Sequence, residues 1–225
     1  QTGGFGLRST YTLGSTPATQ GLSEFPMITA PGIGTYQNDP VQKQGTGGDD
    51  GYLQDSAAGT MDDGVAGGTD WVNNASTQQA LLGVFNGAFY IDNTTKKPTW
   101  ANFVAASQAF GTNYNTGSSD GIGFVNDNPF QEYVVKADAA ITIAKMMYTL
   151  TYAINDGATG TAGTDELSGQ SLITLDIGSE TAAGAGQKMF NIVRVTNDPL
   201  NADNSAVNSN VVVKFAPGSI GSLSY

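Results

Sequence analysis

The chain has 225 residues and a formal net charge of -11, from 20 acidic and 9 basic residues, and it contains neither cysteine nor histidine. These numbers exclude disulfides, thiolate metal sites, cysteine nucleophiles and histidine general bases. They also argue against a nucleic-acid partner, because phosphate binding requires a basic surface and Lys96 and Lys97 are the only adjacent basic residues.

Length and composition indicate a β protein. A chain of this size buries about 70% of the surface that its unfolded form exposes, so it needs no disulfide or metal to fold. Only 13% of the residues are charged, and glycine and small polar residues are abundant. We therefore predict an all-β fold: a single β-barrel-like or β-sandwich domain with an extended N-terminal arm, long loops and at most one or two short helices.

The predicted arm spans residues 1–23. It mixes Gly, Ser, Thr and Pro with isolated apolar residues, among them Phe5, Leu7, Tyr11 and Leu13, and it has no helical period. One interpretation is a flexible terminus. The other is a segment that becomes ordered by lying across a partner, which its spaced aromatic and aliphatic side chains would contact.

The predicted β domain spans residues 24–216. Its first part, residues 25–44, contains short extended pieces separated by Pro and Gly, which forbid long helices. Residues 45–75 form a Gly-rich acidic stretch that we interpret as a solvated loop. Its paired aspartates lack the alternating ligand order of a calcium loop, so no metal site is predicted there.

Residues 81–100 form the densest apolar and aromatic segment and are predicted to be the central hairpin of the core. Gly83 and Gly87 would admit a neighbouring backbone or ring, and residues 93–95 would supply the turn. Both faces of the first strand are largely apolar, so the strand should be buried on both sides. Strict alternation places Leu82, Val84, Asn86, Ala88 and Tyr90 on one face and Leu81, Gly83, Phe85, Gly87, Phe89 and Ile91 on the other.

The remaining segments alternate between strand patterns and polar loops. A helix of one or two turns is predicted within Asp138–Met147, with Asp138 as its N-cap. The largely apolar run at 139–154 is interrupted by Lys145 and hydroxyl residues and is too short for a membrane span. Residues 217–225 are a predicted C-terminal tail. Strands are predicted within 101–106, 122–125, 130–136, 148–154, 171–177, 188–196 and 210–216.

Motifs for catalysis are weak. Gly117 to Gly121 satisfies the G-x-S-x-G nucleophile pattern, but the pattern requires a preceding strand, a following helix and a histidine base. No phosphate loop or dinucleotide fingerprint is present, so we predict no catalytic residue and no cofactor.

Four aromatic residues could form a platform for sugar, although such rings more often belong to a core. They are Tyr52, Trp71, Tyr90 and Trp100.

Several short segments occur in a consistent order along most of the chain and together resemble a known group of proteins. The group is the capsid decoration (cement) and minor head proteins of tailed bacteriophages, particularly short-tailed phages of marine bacteria and cyanobacteria. The stretch at 45–75 is longer than the family pattern. The matching segments are residues 3–8 (GGFGLR), 13–15 (LGS), 38–41 (NDPV), 82–87 (LGVFNG), 89–92 (FYID), 97–102 (KPTWAN), 127–130 (DNPF), 137–138 (AD), 175–176 (LD), 192–195 (IVRV) and 198–201, with Val135 between them.

The resemblance implies a non-enzymatic virion protein that binds the exterior of a capsid shell and stabilises it. Its implied partner is the major capsid protein, and self-association as a homo-oligomer on the shell is expected, with no membrane or nucleic-acid partner. Neither a metal nor a cofactor is implied. The residues that we expect to contact the shell or a sister subunit are Phe5, Leu7, Arg8, Tyr11 and Leu13.

Two other functions remain open at this point. A carbohydrate-binding or adhesin-like β domain of a tail or cell-surface assembly is the main alternative. An acidic glycosidase is a further one, because the 20 acidic residues offer many carboxylate pairs whose separation a sequence does not reveal. A major shell protein is disfavoured, since neither a long spine helix nor a charged extended loop is predicted.

Overall fold

The fold is described from a computed structural model that covers residues 4–12, 16–17, 21–31, 34–43, 51–55, 81–113, 117–155, 164–165, 168–182, 188–196 and 209–216. Within these residues there are fifteen strands, numbered β1 to β15 in chain order, and one 3-10 turn at Ile143–Met146. One sheet curls into a half barrel and a second sheet accompanies it, which confirms the predicted all-β fold.

The larger sheet has seven strands in the spatial order β13-β10-β14-β15-β9-β1-β2. Every pairing in it is antiparallel. The strand at the N-terminus lies inside this sheet, because β1 pairs with β9 on one side and with β2 on the other. The strands are β1 (Arg8–Thr12), β2 (Thr16–Pro17), β9 (Gln131–Lys136), β10 (Leu150–Asn155), β13 (Thr174–Ala182), β14 (Phe190–Val195) and β15 (Asn210–Phe215).

The smaller sheet has six strands. Five of them follow the order β3-β8-β6-β4-β5, and the sixth, β7, pairs with β6. A separate two-stranded hairpin joins β11 (Thr164–Asp165) to β12 (Gln170–Ser171). The strands of the smaller sheet are β3 (Ser23–Met27), β4 (Pro40–Lys43), β5 (Leu53–Asp55), β6 (Leu81–Ile91), β7 (Pro98–Ala101) and β8 (Gly121–Asn126).

Two apolar clusters fill the interior, and β6 contributes to both. The larger cluster surrounds Tyr133, Tyr152 and Phe190, which are fully buried, and it includes Leu81 and Val84 of β6. Because β6 supplies side chains to both clusters, its first part is buried on both sides as predicted, whereas Phe89 near its end is exposed. The smaller cluster consists of Met27, Val41, Leu53, Phe85, Ala88, Tyr90, Val104, Phe110 and Val125.

The predicted division of β6 into two faces is wrong in detail, because the strand is irregular at two positions. The pairing with β4 and the pairing with β8 each skip one residue of β6, at Leu82 and at Asn86. An extra residue in a strand reverses the side to which all later side chains point. Phe85 therefore joins Ala88 and Tyr90 in the smaller cluster.

Glycines allow the close approaches that the sequence predicts in β6. A Cβ on Gly83 would collide with the backbone carbonyl of Asn126 in β8. Gly87 has a φ of 145°, and a Cβ there would lie 3.0 Å from the carbonyl oxygen of Ala101 and 3.2 Å from the indole of Trp100. Both positions therefore require glycine. Gly83 leaves space for the neighbouring backbone, and Gly87 leaves space for its neighbours and also adopts a positive φ that other residues rarely adopt.

The turn between β6 and β7 depends on Asp92 more than on the predicted residues 93–95. Its Oδ1 accepts hydrogen bonds from the backbone N–H groups of Thr94, at 2.9 Å, and Thr95, at 2.6 Å. Hydrogen bonding from Thr95 is the main reason that the pKa of Asp92 lies below its usual value. A carboxylate that accepts two amides in this way forms an Asx-type turn.

The helix predicted within Asp138–Met147 is reduced to the 3-10 turn at Ile143–Met146. Asp138 does not cap it, because Asp138 Oδ1 accepts a hydrogen bond from the N–H of Ile177 at 2.9 Å. The N-cap is Thr142, whose side chain makes no capping bond. Ile141 is buried and Met146 is partly buried against the larger cluster, whereas Ile143 and Met147 are exposed.

Most other predicted strands are present within two or three residues of their predicted bounds. In the predicted strand at 101–106, regular pairing ends at Ala101, and Val104 only bridges Thr35. The predicted acidic loop at 45–75 lies mainly outside the described residues, although Leu53–Asp55 pairs with β4. The predicted tail at 217–225 also lies outside them.

Candidate functional site

The N-terminal residues predicted to contact a partner lie in different environments. Leu7 is fully buried in the larger apolar cluster, and its N–H donates to the carbonyl of Asn38 at 2.9 Å. A partner could touch Leu7 only if residues 4–12 left the sheet. Leu13 lies outside the described residues.

Phe5, Arg8 and Tyr11 lie at or near the surface and each takes part in a cation–π contact. The guanidinium of Arg8 lies 5.2 Å from the centroid of the half-buried Phe5 ring. The guanidinium of Arg194 lies 5.9 Å from the Tyr11 ring and pairs with the Glu132 carboxylate at 2.7 Å. These contacts are made within the chain, so the structure does not bring the predicted residues together into one exposed patch.

A continuous apolar row crosses four strands on the solvent side of the smaller sheet. The register aligns Pro26 of β3 with Ile122 of β8, Ile122 with Phe89 of β6, and Phe89 with Trp100 of β7. Residues directly opposite each other in antiparallel strands point to the same side of the sheet. Four strands at their usual spacing place the ends of the row about 14 Å apart. We call this row, together with Phe124, the aromatic face.

The side chains of the aromatic face are exposed but held in place. Trp100 is 52% exposed, and Phe89 and Ile122 are each 36% exposed. The Trp100 indole lies against the Phe124 ring, with centroids 4.6 Å apart. Gly87 lies beneath the indole and leaves room for it. Such a surface offers a partner a large apolar contact that needs little ordering on binding.

Of the four aromatic residues predicted as a sugar platform, only Trp100 has the required exposure among those that the structure describes. Tyr90 is buried and stacks on Phe110 with centroids 4.5 Å apart. The Tyr52 hydroxyl donates to Asp120 at 3.0 Å. Trp71 lies outside the described residues. The aromatic face is therefore built from Trp100 and neighbours that the sequence did not single out.

A second apolar surface lies beside the larger sheet. Ile143 is 85% exposed, Tyr148 82% and Met147 56%. They surround the 3-10 turn, and we call residues 142–148 the apolar loop. Soluble proteins rarely leave several neighbouring large apolar side chains this exposed unless a partner covers them.

Two hydrogen bonds to backbone carbonyls and one side-chain ion pair attach the apolar loop to the larger sheet. The hydroxyl of the fully buried Tyr152 donates to the carbonyl of Lys145 at 2.6 Å, and the Lys145 ammonium pairs with the Glu180 carboxylate at 2.7 Å. The amide of Asn191 donates to the carbonyl of Tyr148 at 3.1 Å. Burial, and after it the negative charge of Glu180, raises the pKa of Tyr152. The exposed side chains thus project from a fixed frame.

The G-x-S-x-G match lies in a turn that is closed by its own hydrogen bonds. The Ser118 hydroxyl donates to Asp120 at 2.6 Å and accepts from the Asp120 N–H at 2.9 Å. Strand β8 follows directly at Gly121, where a nucleophile motif would require a helix. In the described part of the chain, no group of three or more Asp and Glu side chains is arranged to hold a metal ion.

Both surfaces escaped prediction for identifiable reasons. The aromatic face exists because of strand register: Phe89 and Trp100 lie opposite each other within the hairpin, and Ile122 joins them from β8, whose pairing with β6 no local pattern indicates. The apolar loop lies within the run at 139–154, where the sequence predicted a short helix followed by a strand. One local feature of the sequence indicated exposure: Thr142 and Lys145 interrupt the apolar pattern next to the exposed residues.

Comparisons with known proteins leave the family open. No helix in the described part of the chain has the length and hydropathy of a membrane span. No protein-family model, no curated protein and no solved structure matches this chain.

Proposed function

We propose that this chain is a non-enzymatic structural protein that binds the outside of a bacteriophage capsid and stabilises the head. The ordered segments that resemble capsid decoration proteins support the capsid as partner. The observation that carries the binding role is the pair of exposed apolar surfaces on different sheets, the aromatic face and the apolar loop.

Two separate surfaces suit a protein that bridges neighbouring shell subunits. Each surface has apolar side chains on a fixed backbone, and the aromatic face contains the residue type most enriched at binding hot spots, tryptophan. A protein that binds the assembled shell and not its separated subunits shifts the equilibrium toward the shell by mass action. The net charge of -11 would leave the decorated particle acidic and keep particles apart.

Co-sedimentation with expanded, undecorated phage heads tests this proposal. The heads should come from short-tailed phages of marine bacteria and cyanobacteria. We expect saturable binding by the wild-type protein and at least tenfold weaker binding by a variant with Phe89→Ser and Trp100→Ser. Phe130→Ser is the matched control, because Phe130 is 57% exposed and lies outside both surfaces. Absence of saturable binding to any head, or equal binding by all three proteins, would contradict the proposal.

One observation favours a carbohydrate-binding function as the second candidate. The exposed Trp100 indole lies beside the Phe124 ring, and the exposed Glu24 lies opposite Phe124 in the register. Aromatic rings with a carboxylate nearby can bind the apolar side and the hydroxyls of a sugar. A glycan array separates the two functions: strong glycan binding that is lost in Trp100→Ser, without binding to heads, would favour this candidate.

A further inference from the structure

The turn at Tyr36–Asp39 connects the N-terminal segment to the smaller sheet and to the β11–β12 hairpin. Asn38 donates its N–H to the carbonyl of Phe85 in β6, and the carbonyl of Asp39 accepts from the N–H of Phe85. On another side, the carbonyl of Gln37 accepts from the N–H of Ser171 in β12. The turn is therefore a junction at which β6 and β12 meet.

Residues 4–7 lie directly on this junction. The N–H of Leu7 donates to the carbonyl of Asn38 at 2.9 Å, and the side-chain amide of Asn38 donates to the carbonyl of Phe5 at 3.3 Å. The N–H of Gly4 donates to the carbonyl of Leu172 at 3.0 Å. Packing is tight, because a Cβ on Gly6 would lie 2.6 Å from the Ser171 Cβ and 2.7 Å from Asn38.

A carboxyl group is enclosed beneath this segment. Asp39 is 1% exposed, and its Oδ2 accepts from the Tyr36 N–H at 2.7 Å. The Ser171 hydroxyl is its other hydrogen-bonding partner. The carboxyl group thus faces an amide and a hydroxyl, neither of which carries a charge. Loss of water raises the pKa of Asp39 to about 7, against the smaller opposing effect of these two hydrogen bonds.

We infer that Asp39 is a proton-controlled latch that holds residues 4–7 on the domain while its carboxyl group is neutral and weakens that hold when the carboxyl group ionises. A buried carboxylate gains free energy by regaining water. On the Ser171 side, Gly6 packs closely against Asn38 and against Ser171, whose hydroxyl bonds the carboxyl group. Admitting water there separates residues 4–7 from the junction.

Release of the segment would change the surface of the protein. Leu7 would leave the larger core, and Phe5 would exchange its contact with Arg8 for solvent or a partner. The latch goes beyond the proposed capsid function, and its test involves no capsid. It gives a condition under which the N-terminal residues become available for binding.

Amide hydrogen exchange measured between pH 5 and pH 8, and corrected for the intrinsic exchange rate, tests the latch. The two reporters are the N–H groups of Gly4 and Leu7. If Asp39 has an ordinary aspartate pKa of about 4 in the open state, the equilibrium constant for opening increases about tenfold per pH unit above pH 4. It levels off near pH 7, where the carboxyl group of the closed state ionises as well. We expect the opening equilibrium of both reporters to rise on the order of 80-fold over this range.

Three comparisons make the result decisive. Asp39→Asn keeps the hydrogen-bonding shape but cannot ionise, so its reporters should be independent of pH, whereas the exposed-site control Asp92→Asn should behave like wild type. If Asp39→Asn does not fold, Ser171→Ala replaces it in the test. Loss of the hydroxyl donor should raise the pKa of Asp39 further, so the opening equilibrium should stop rising at a higher pH than in the wild type. Low concentrations of urea distinguish local from global opening. Reporters that do not respond to pH, or that share the urea dependence of the β15 amides, would overturn the latch.

Discussion

The indole of Trp100 lies against the ring of Phe124 with centroids 4.6 Å apart and planes inclined by 39°. The two residues come from β7 and β8, which do not pair with each other, since β6 lies between them. Contact across an intervening strand is possible because that strand has Gly87 at this point, with no side chain to separate the rings. The aromatic face therefore depends on a glycine that bears no apolar surface of its own.

We predict that Trp100 and Phe124 are energetically coupled. In a double-mutant cycle with Trp100→Ala and Phe124→Ala, the coupling in the free energy of unfolding should be about 1 kcal/mol, as for other aromatic pairs. Denaturant unfolding of the four proteins gives the value. The pair Trp100 and Phe130 provides the control, since these two rings share no ring contact in the structure and should be additive. Additivity in the first cycle would mean that the ring contact contributes nothing.

The apolar loop should contribute to binding and not to folding. A variant with Ile143→Thr, Met147→Gln and Tyr148→Ser should unfold within about 0.5 kcal/mol of wild type, because these side chains are mostly solvated already. If the loop contacts the shell as proposed, the same variant should bind heads about 30-fold more weakly, the loss typical of a hot spot. Measuring unfolding and co-sedimentation on the same preparation separates the two effects.

Tyr152→Phe should loosen the apolar loop from beneath. The substitution removes the hydroxyl that donates to the carbonyl of Lys145 and leaves that carbonyl without this partner. We expect a loss of about 1 kcal/mol in the free energy of unfolding and faster amide exchange around the 3-10 turn. Tyr133→Phe is the comparison, because the Tyr133 hydroxyl makes a longer contact, 3.4 Å, with the carbonyl of Asn126. An equal effect of both substitutions would argue against a specific anchor.

Gly83→Ala should be strongly destabilising. Its Cβ would collide with the backbone carbonyl of Asn126, and backbone in the middle of a sheet cannot move aside as the end of a flexible side chain can. We expect a cost of about 1 to 3 kcal/mol, as for other overpacked positions. Gly21→Ala should be close to neutral, because nothing lies within 4 Å of its added Cβ. Thermal unfolding of the two variants checks the difference.

The sequence predicts those parts of the fold that local patterns of apolar residues determine. It does not predict the parts that depend on the register of strand pairing. Alternation in Gln131–Lys136 and Asn210–Phe215 identifies strands because each has one face in the core. In β6 alternation fails, since Leu82 and Asn86 are extra residues and no sequence signal separates an irregular strand from a regular one buried on both sides. The aromatic face depends on the pairing of β3, β6, β7 and β8, which local sequence patterns do not reveal, so it was not predicted either.

The N-terminal segment shows the same limit from another direction. Gly- and Ser-rich composition with scattered apolar residues is typical of flexible arms, and it also fits a short strand with one buried anchor, here Leu7. The deciding contacts are those of Leu7 with Asn38 and of β1 with β9, both distant in sequence. The sequence gives no sign that Asp39 is buried, because burial of a carboxyl group is decided by tertiary structure.

Asp39 should also affect global stability in a defined pH range. Its pKa is about 7 in the folded protein and about 4 in the unfolded chain, so the folded state binds more protons between these values. The free energy of unfolding should therefore fall as pH rises from 4 to 7, by on the order of 4 kcal/mol from this group, and change little above 7.

The difference between wild type and Asp39→Asn isolates this effect from the general repulsion of an acidic chain, which both proteins share. Urea unfolding at pH 4, 5.5, 7 and 8.5 should show the difference changing between the first three values and constant between the last two. A difference that stays constant over the whole range would show that Asp39 keeps an ordinary pKa. It would follow that hydration, together with the hydrogen bonds from Tyr36 and Ser171, stabilises the ionised form in the folded protein as well as water does in the unfolded chain.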